Sequence, residues 1–182
     1  TESIEARIPE LPTCVLLILA KILAQSRPLE PYPGWYFAAG ESDSSFRVRL
    51  RLAVWKTCNL RRVERSIRML WYEGIRIDVY LGNDVSRCLF IGGCIEPNEF
   101  AFLDGVIEPG MVFVDAGAND GLYSLFASRR VGAEGTVLAI EPSGREFKRL
   151  QANIRLNALA NVRTRQVALS NRNGQGTLRI AG

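Results

Sequence analysis

Residues 112–121 decide the fold of this chain, and they read Val112-Phe113-Val114-Asp115-Ala116-Gly117-Ala118-Asn119-Asp120-Gly121. The apolar run from Met111 to Val114 predicts a strand that is buried on both faces, as in a parallel sheet. Gly117 allows a tight turn and lets a ligand come close to the backbone. The helix expected after Gly121 would offer free amides and a partial positive charge to a phosphate or a carboxylate.

The sequence after this loop alternates helix and strand. Leu122 to Val131 predicts a helix that Gly132 closes, and Thr136 to Ile140 predicts a second buried strand. Ser143 and Glu146 predict a capping box, in which Ser143 accepts from the amide of residue 146 and Glu146 reaches back. The next helix is expected to bury three apolar side chains before a third strand begins: Phe147, Leu150 and Ile154, then Asn161 to Leu169. This order predicts a doubly wound, Rossmann-like α/β fold with a parallel sheet and right-handed crossovers.

The first part of the chain predicts a helical arm over residues 1–73, and residues 74–182 predict the α/β domain. Helices are expected at Val15 to Ala24 and at Arg61 to Trp71, the latter because Val63, Ile67 and Leu70 recur at helical spacing. A proline-rich linker and a polar break lie between them: Pro28, Pro31, Pro33 and Gly34, then residues 40–45.

A β-hairpin and a helix are expected before residue 111. Alternation from Ile75 to Leu81 predicts a half-buried strand, and Gly82-Asn83-Asp84 predicts a turn. Arg87 to Gly92 would supply the second strand of the hairpin. Pro97 to Ile107 predicts a helix, which Pro109-Gly110 ends.

The loop chemistry favours one ligand class over another. A dinucleotide site has the pattern G-x-G-x-x-G, but here Gly117 and Gly121 are separated by Asn119, where the pyrophosphate would need close approach. Asp115 precedes the first glycine by two residues and can attract an ammonium group, directly or through water. A carboxylate together with helix amides suits both ends of an amino acid, such as the methionine part of S-adenosyl-L-methionine.

A second acid follows the second strand. Glu141 lies twenty residues after Gly121, and an acid at that position of an α/β fold can accept from both ribose hydroxyls. Pro142 keeps Glu141 in an extended conformation. The order strand, D-x-G-x-N-x-G, helix, strand, E-P therefore predicts a site for an adenosyl ligand that also carries an amino acid.

From about Gly82 to Leu178 the chain resembles the FkbM-type methyltransferases. The resemblance is carried by these segments: Gly93 with Glu96-Pro97, Glu108-Pro109-Gly110, Phe113 to Tyr123, Ala139-Ile140-Glu141-Pro142-Ser143, Leu150 to Asn157, and Ala168-Leu169-Ser170. It implies a class I methyltransferase fold and methyl transfer from S-adenosyl-L-methionine. It also implies that the acceptor is a hydroxyl on a small molecule, often a sugar or a secondary metabolite.

The same resemblance implies which residues hold the cofactor. They are Asp115, Ala116, Gly117, Ala118, Asn119, Gly121, Glu141 and Pro142, with contacts from Tyr123 and Ser124 at the helix start and from Gln166, Val167 and Ala168 near the adenine. Asn153 and Asn157 match the family, but within a helix they could equally satisfy local backbone groups.

The family continues with a fourth strand that ends in an Asp-x-Glu-Gly segment, which these 182 residues do not contain. We therefore expect the domain to be incomplete, without its acceptor pocket and catalytic base. The outer edge of the first strand would then carry unpaired amides and carbonyls, so we expect self-association and no turnover from this chain alone.

Composition narrows the chemistry further. The net charge is +4, and no histidine is present to act as a base or a metal ligand. The four cysteines form no C-x-x-C pair, which argues against zinc and favours a reducing cytoplasm: Cys14, Cys58, Cys88 and Cys94. Eight basic residues lie close together in one stretch of the sequence: Arg47, Arg49, Arg51, Lys56, Arg61, Arg62, Arg65 and Arg68. We interpret this stretch as a solvated face and not as a nucleic-acid site. The apolar run Cys14 to Ala24 is too short to span a bilayer.

Two other functions stay open from the sequence. One is a nicotinamide-dependent oxidoreductase, against which the missing middle glycine argues. The other is a non-catalytic binding module that keeps the fold. If the protein methylates a hydroxyl, the base would be Asp, Glu or Tyr, since no histidine is available.

Overall fold

The computed structural model describes residues 7–25, 46–63 and 65–178. The chain divides into two compact units, Thr1–Ala101 and Phe102–Gly182. The linker predicted around Pro28 to Gly34 and the polar break at 40–45 lie outside the described residues.

The first unit combines helices with a two-stranded antiparallel sheet. Its elements, in chain order, are a 3₁₀ turn Ile8–Glu10, α1 Thr13–Gln25, α2 Phe46–Leu60, β1 Ser66–Leu70, a 3₁₀ turn Tyr72–Gly74, β2 Arg76–Tyr80 and α3 Asp84–Gly92. Helix α4, Pro97–Val106, runs from the first unit into the second. The predicted helix at Val15 to Ala24, the strand near Ile77 and the helix from Pro97 are confirmed.

The helix predicted at Arg61 to Trp71 is wrong. Residues 66–70 form β1, in which Ile67 pairs with Val79 and Met69 pairs with Ile77. Ile67 and Met69 are buried and their neighbours in β1 are exposed, which is the period of two of a strand, whereas the helix is predicted from the spacing of Val63, Ile67 and Leu70. Cross-strand pairing with β2 decides the conformation of this short segment.

The predicted second strand at Arg87 to Gly92 is also wrong. This segment lies in α3, which begins after Asn83. The Asn83 side chain accepts from the amide of Ser86 at 2.9 Å and caps the helix. Gly82-Asn83-Asp84 therefore starts a helix instead of closing a hairpin, and β2 pairs with β1.

The basic residues clustered in the sequence do not all share one solvated surface. Arg51 is buried, and its guanidinium donates to the carbonyls of Phe90 and Leu23, both at 2.8 Å. Arg68 pairs with Asp78 across the β-sheet at 3.0 Å. Arg51 and Arg68 therefore bind groups within the first unit.

The second unit is built on three parallel strands. Its elements are β3 Val112–Ala116, α5 Leu122–Val131, β4 Thr136–Ile140, α6 Gly144–Leu156 and β5 Val162–Arg165. The strand order is β3-β4-β5, with Ala116 opposite Ile140 and Ile140 opposite Arg165. The predicted α/β fold with a parallel sheet is confirmed, although β5 ends well before the predicted Leu169.

Helices α5 and α6 cover the same face of this sheet. Ala127 and Val131 of α5 pack with Val137, and Leu150 of α6 packs with Ala139. Two crossovers of the same hand that advance in the same direction put both helices on one side. The prediction that β3 is buried on both faces is therefore wrong for the described chain, because its other face leaves Val112 and Val114 72% and 54% exposed.

Across residues 7–25, 46–63 and 65–178, the helices are all too short or too polar to cross a membrane.

Candidate functional site

The loops that follow β3 and β4 meet at the carboxyl ends of these strands. The amides of Gly117 and Ala118 both donate to the carbonyl of Ile140, at 2.8 and 2.9 Å. The loop from 117 to 121 is therefore folded over the end of β4. In open α/β sheets this edge is where ligands bind.

Glycine is needed at two positions of this loop for different reasons. Gly117 and Gly121 both have φ of 94°, a conformation that other residues rarely adopt. A Cβ on Gly121 would lie 2.6 Å from Cδ1 of Leu150, whereas a Cβ on Gly117 would meet no atom within 4 Å. Gly121 thus lets the loop pack on α6, and Gly117 leaves space at the strand end.

Asp115 is buried at the end of β3. Its Oδ2 accepts from the hydroxyl of Ser124 at 2.6 Å, and the backbone of Ser124 also hydrogen-bonds to it. Burial raises the pKa of Asp115 against these hydrogen bonds, and the nearby Glu141 carboxylate raises it further. The Ser124 hydroxyl in the first turn of α5 therefore already binds a carboxyl group, which is that of Asp115.

Glu141 connects the two loops. Its Oε2 accepts from the amide of Asn119 and its Oε1 from the amide of Ser143, each at 2.8 Å. Glu141 and Ser143 are buried, and Asn119 is half-buried. Because a carboxylate oxygen can accept more than one hydrogen bond, both oxygens keep capacity for further donors.

Asn119 presents an acceptor that the protein does not use. Its Oδ1 is buried and has no hydrogen-bond partner among the described residues. Its backbone has φ of 50°, held by the bond from its amide to Glu141. A buried acceptor without a partner costs about 1–3 kcal/mol, which a donor group of a ligand would recover.

The capping box predicted at α6 takes a different form. Ser143 is the N-cap residue, but its side chain makes no hydrogen bond to the helix amides. The Ser143 hydroxyl instead donates to the carboxylate of Glu146. In a capping box Glu146 would accept from the amide of Ser143, but this amide donates to Glu141.

Helix α6 holds the loop through Asn153, which is fully buried. Its Nδ2 donates to the carbonyl of Asp120 at 2.8 Å, across 33 residues of sequence. Asn157, by contrast, donates to the carbonyl of Asn153 within the helix. Of the two roles left open for these residues, Asn153 therefore positions the loop and Asn157 satisfies local backbone.

Asp120 lies inside the predicted cofactor loop, but the sequence analysis gives it no role of its own. Its side chain is 4% exposed, and burial raises its pKa, although its own amide and Arg149 act in the opposite direction. Within the D-x-G-x-N-x-G pattern it occupies an unspecified position, and the available signal is an acid directly before a glycine at a helix start. Asp120 adds a third buried carboxyl group to the loop region.

The remaining predicted residues lie in or beside these loops or directly after β5. Tyr123 is half-buried in the first turn of α5, and Pro142 is half-buried after β4, while Ala116 is exposed and Ala118 is buried. Gln166, Val167 and Ala168 follow β5 and are exposed. The Gln166 amide nitrogen lies 3.3 Å from the position of a Cβ on Gly144, so it reaches the start of α6.

No group of three or more Cys, Asp or Glu side chains in the described part of the chain is arranged to hold a metal ion. The four cysteines are free, and Cys58, Cys88 and Cys94 are buried.

The two loop glycines permit a matched test. We expect Gly121→Ala to lower the free energy of unfolding by more than Gly117→Ala, because both pay about 1–2 kcal/mol of backbone strain but only Gly121→Ala collides with Leu150. Urea unfolding of both variants measures the difference. Equal losses would show that Leu150 moves aside freely.

Removing the charge of Asp115 should separate stability from binding. Because the pKa of Asp115 is raised in the folded state, keeping its carboxyl group ionised lowers the stability of the fold at pH values above that pKa. As the pH falls through the folded pKa, the carboxyl group binds a proton and the stability rises. We therefore expect Asp115→Asn to raise the melting temperature at pH 7 and to flatten its pH dependence below neutrality. A cationic ligand should bind it at least about tenfold more weakly.

The experiment needs a control at an exposed acid, for which Glu134→Gln is suitable because this residue lies on the turn before β4. A fall in melting temperature for Asp115→Asn, with Glu134→Gln unchanged, would mean that the hydrogen bonds from Ser124 outweigh the cost of burial.

Comparison with known proteins adds three structural likenesses. No protein-family model and no curated protein matches the chain. A protein described as a transferase from Pyrococcus horikoshii is 20% identical with a TM-score of 0.45, and the match covers 91% of this chain and 64% of that one. A SAM-dependent O-methyltransferase from Thermotoga maritima is 18% identical with a TM-score of 0.39, covering 57% and 40% of the two chains.

A SAM-dependent methyltransferase from Aquifex aeolicus is 25% identical with a TM-score of 0.35, covering 38% of this chain and 37% of that one. The matched region is thus about two fifths of the length of the two methyltransferases. At TM-scores below 0.5 these likenesses assign no function to the chain.

Proposed function

We propose that this chain forms the S-adenosyl-L-methionine-binding part of a methyltransferase. The observation that carries the proposal is the pair of buried carboxylates, Asp115 and Glu141, at the ends of two adjacent parallel strands. Each is held by hydrogen bonds from the protein and sits where ligands bind in α/β sheets.

The groups around this edge suit a ligand that donates hydrogen bonds and carries positive charge. Glu141 keeps acceptor capacity, Asn119 Oδ1 lacks a donor, and Asp115 is a second carboxylate. A methionine ammonium group and two ribose hydroxyls are donors of this kind. S-Adenosyl-L-methionine therefore fits the described residues.

The same groups disfavour a dinucleotide. In a nicotinamide site the pyrophosphate binds at the amides of the first helix. Here the Ser124 hydroxyl in the first turn of α5 binds Asp115, and Glu141 and Asp120 add further buried carboxyl groups nearby. A doubly charged pyrophosphate would meet like charge, so the oxidoreductase alternative is the weaker one.

Each part of the cofactor has a residue suited to it. Glu141 would accept from the ribose hydroxyls, Asp115 would attract the ammonium group directly or through water, and Gln166 to Ala168 would lie near the adenine. When bound, the cofactor supplies an activated methyl group on a sulfonium. The chain contributes binding and alignment of that group.

The acceptor is proposed from the family resemblance alone to be a hydroxyl on a small molecule or sugar. No residue is assigned as a base. A non-catalytic binding module would share the cofactor site and differ only in lacking transfer, so an assay with a labelled methyl group distinguishes the two.

Ligand choice is the direct test. We expect S-adenosyl-L-methionine and S-adenosylhomocysteine to raise the melting temperature. At a hundredfold excess over the dissociation constant, either ligand should raise the free energy of unfolding by about 2.7 kcal/mol. NAD at the same concentration should have no effect. A response to NAD without a response to either adenosyl compound would exclude the proposed cofactor.

A further inference from the structure

Helix α1 is firmly held in the first unit and yet exposes an apolar stripe. Its inner side carries three residues that are at most 1% exposed: Leu16, Ala20 and Ala24. At its C-terminal end Gln25 Nε2 donates to the carbonyl of Arg68 at 2.7 Å. On its outer side Val15, Ile18 and Ile22 are 40%, 58% and 62% exposed.

Helix α2 runs alongside α1 in the opposite direction. Arg61, just after α2, donates to the carbonyls of Pro9 and Leu11 before α1, both at 2.6 Å. Arg51, in the middle of α2, reaches Leu23 near the end of α1. Phe46 at the start of α2 adds a further apolar side chain that is 53% exposed.

The charges on these two helices all have one sign. Neither Thr13–Gln25 nor Phe46–Leu60 contains an aspartate or a glutamate. Lys21 of α1 and Lys56 of α2 are exposed, as are Arg47 and Arg49. Glu10, which precedes α1, has Arg7 three residues before it.

We propose that the exposed side of α1 and α2 binds the surface of an anionic lipid bilayer. We call this the α1–α2 surface and define it by Val15, Ile18, Lys21, Ile22, Phe46 and Lys56. A bilayer offers apolar depth for the aliphatic side chains and a negative headgroup layer for the cations. This binding is peripheral, and none of these six residues belongs to the proposed cofactor site.

Two other occupants suit the surface less well. A symmetric dimer through the α1–α2 surface would place the same lysines against one another, with no acid on either helix to pair with them. A nucleic acid would meet the cations but would leave the stripe of Val15, Ile18 and Ile22 without an apolar partner.

Vesicle co-sedimentation of the whole chain tests the proposal. We expect binding to vesicles that contain about 30 mol % phosphatidylglycerol, an anionic lipid. Binding to vesicles of pure phosphatidylcholine should be much weaker. The double variant Ile18→Gln/Ile22→Gln should lower the partition coefficient by at least roughly tenfold. Lys21→Gln/Lys56→Gln should lower it by roughly fivefold for each cation, and added salt should remove that part.

The matched control lies in the second unit. Leu169→Gln/Lys148→Gln removes one exposed apolar residue and one exposed cation there, and we expect it to bind like the parent. All these side chains are exposed, so we expect each variant to fold normally. Unchanged circular dichroism would show that it does. Absent binding by the parent chain, or equal losses in the control, would overturn the proposal, as would concentration-dependent dimers that the Ile18→Gln/Ile22→Gln variant abolishes.

Discussion

Glu141→Ala should weaken binding of S-adenosyl-L-methionine by about a hundredfold or more. Two ribose hydroxyls lose a charged acceptor, and hydrogen bonds to charged groups contribute about 1.5–3 kcal/mol each. The variant should also unfold at lower urea, because the amides of Asn119 and Ser143 lose their acceptor at the same time. Calorimetric titration and urea unfolding measure the two effects separately.

Two further variants make this result specific. Glu134→Ala removes an exposed acid from the same unit and should change neither quantity. Glu141→Gln keeps one acceptor oxygen but turns an NH₂ group toward one of the two amides, so its affinity should lie between those of Glu141→Ala and the parent. If Glu141→Ala binds with an unchanged dissociation constant, Glu141 has only the structural role of joining the two loops.

Arg51→Met should be the most destabilising single change in the first unit, by about 3 kcal/mol or more. Arg51 is 1% exposed, and its two bonds go to carbonyls in the last turns of α3 and α1. The C-terminal end of a helix carries partial negative charge, which a cation matches. Burial, together with the charge of Arg47, lowers the pKa of Arg51 to about 10, so the residue is still charged at neutral pH.

The conservative variant separates charge from geometry. Arg51→Lys keeps the cation, but one ammonium group replaces a fork that reaches two carbonyls, so we expect an intermediate loss of stability. Lys56→Met on the same helix is exposed and should stay within about 0.5 kcal/mol of the parent. A urea midpoint for Arg51→Met equal to that of Lys56→Met would contradict the bridging role.

Local sequence patterns were sufficient for most of the second unit. The apolar runs of β3 and β4, the glycines of the loop and the acid after β4 each follow from properties of a few neighbouring residues. Positive φ at Gly117 and Gly121 is one such property, because it depends on the missing side chain alone. The parallel sheet then follows from the alternation of strands and helices.

Two short segments without such patterns were predicted wrongly. Residues 66–70 contain apolar side chains that fit a strand or a helix, and pairing with β2 selects the strand. Residues 84–92 follow a turn-like sequence, and the Asn83 cap together with burial of Leu89 and Phe90 selects the helix. For residues 66–70 the deciding contacts come from another strand, whereas for residues 84–92 the Asn83 cap is local and the same short sequence is compatible with a turn or a helix start.

The sequence by itself determined that a carboxylate ends β3 and another follows β4, since strand ends and acidic residues can both be read locally. Only the tertiary structure decided which groups those carboxylates bind. The carboxylate of Asp115 accepts from Ser124, and that of Glu141 accepts from two loop amides, while Asn153 donates to the backbone carbonyl of Asp120 between them. The physical reason is that hydrogen bonds at this edge join residues up to 33 positions apart, and burial sets the pKa values of Asp115 and Asp120 only after the loops have met.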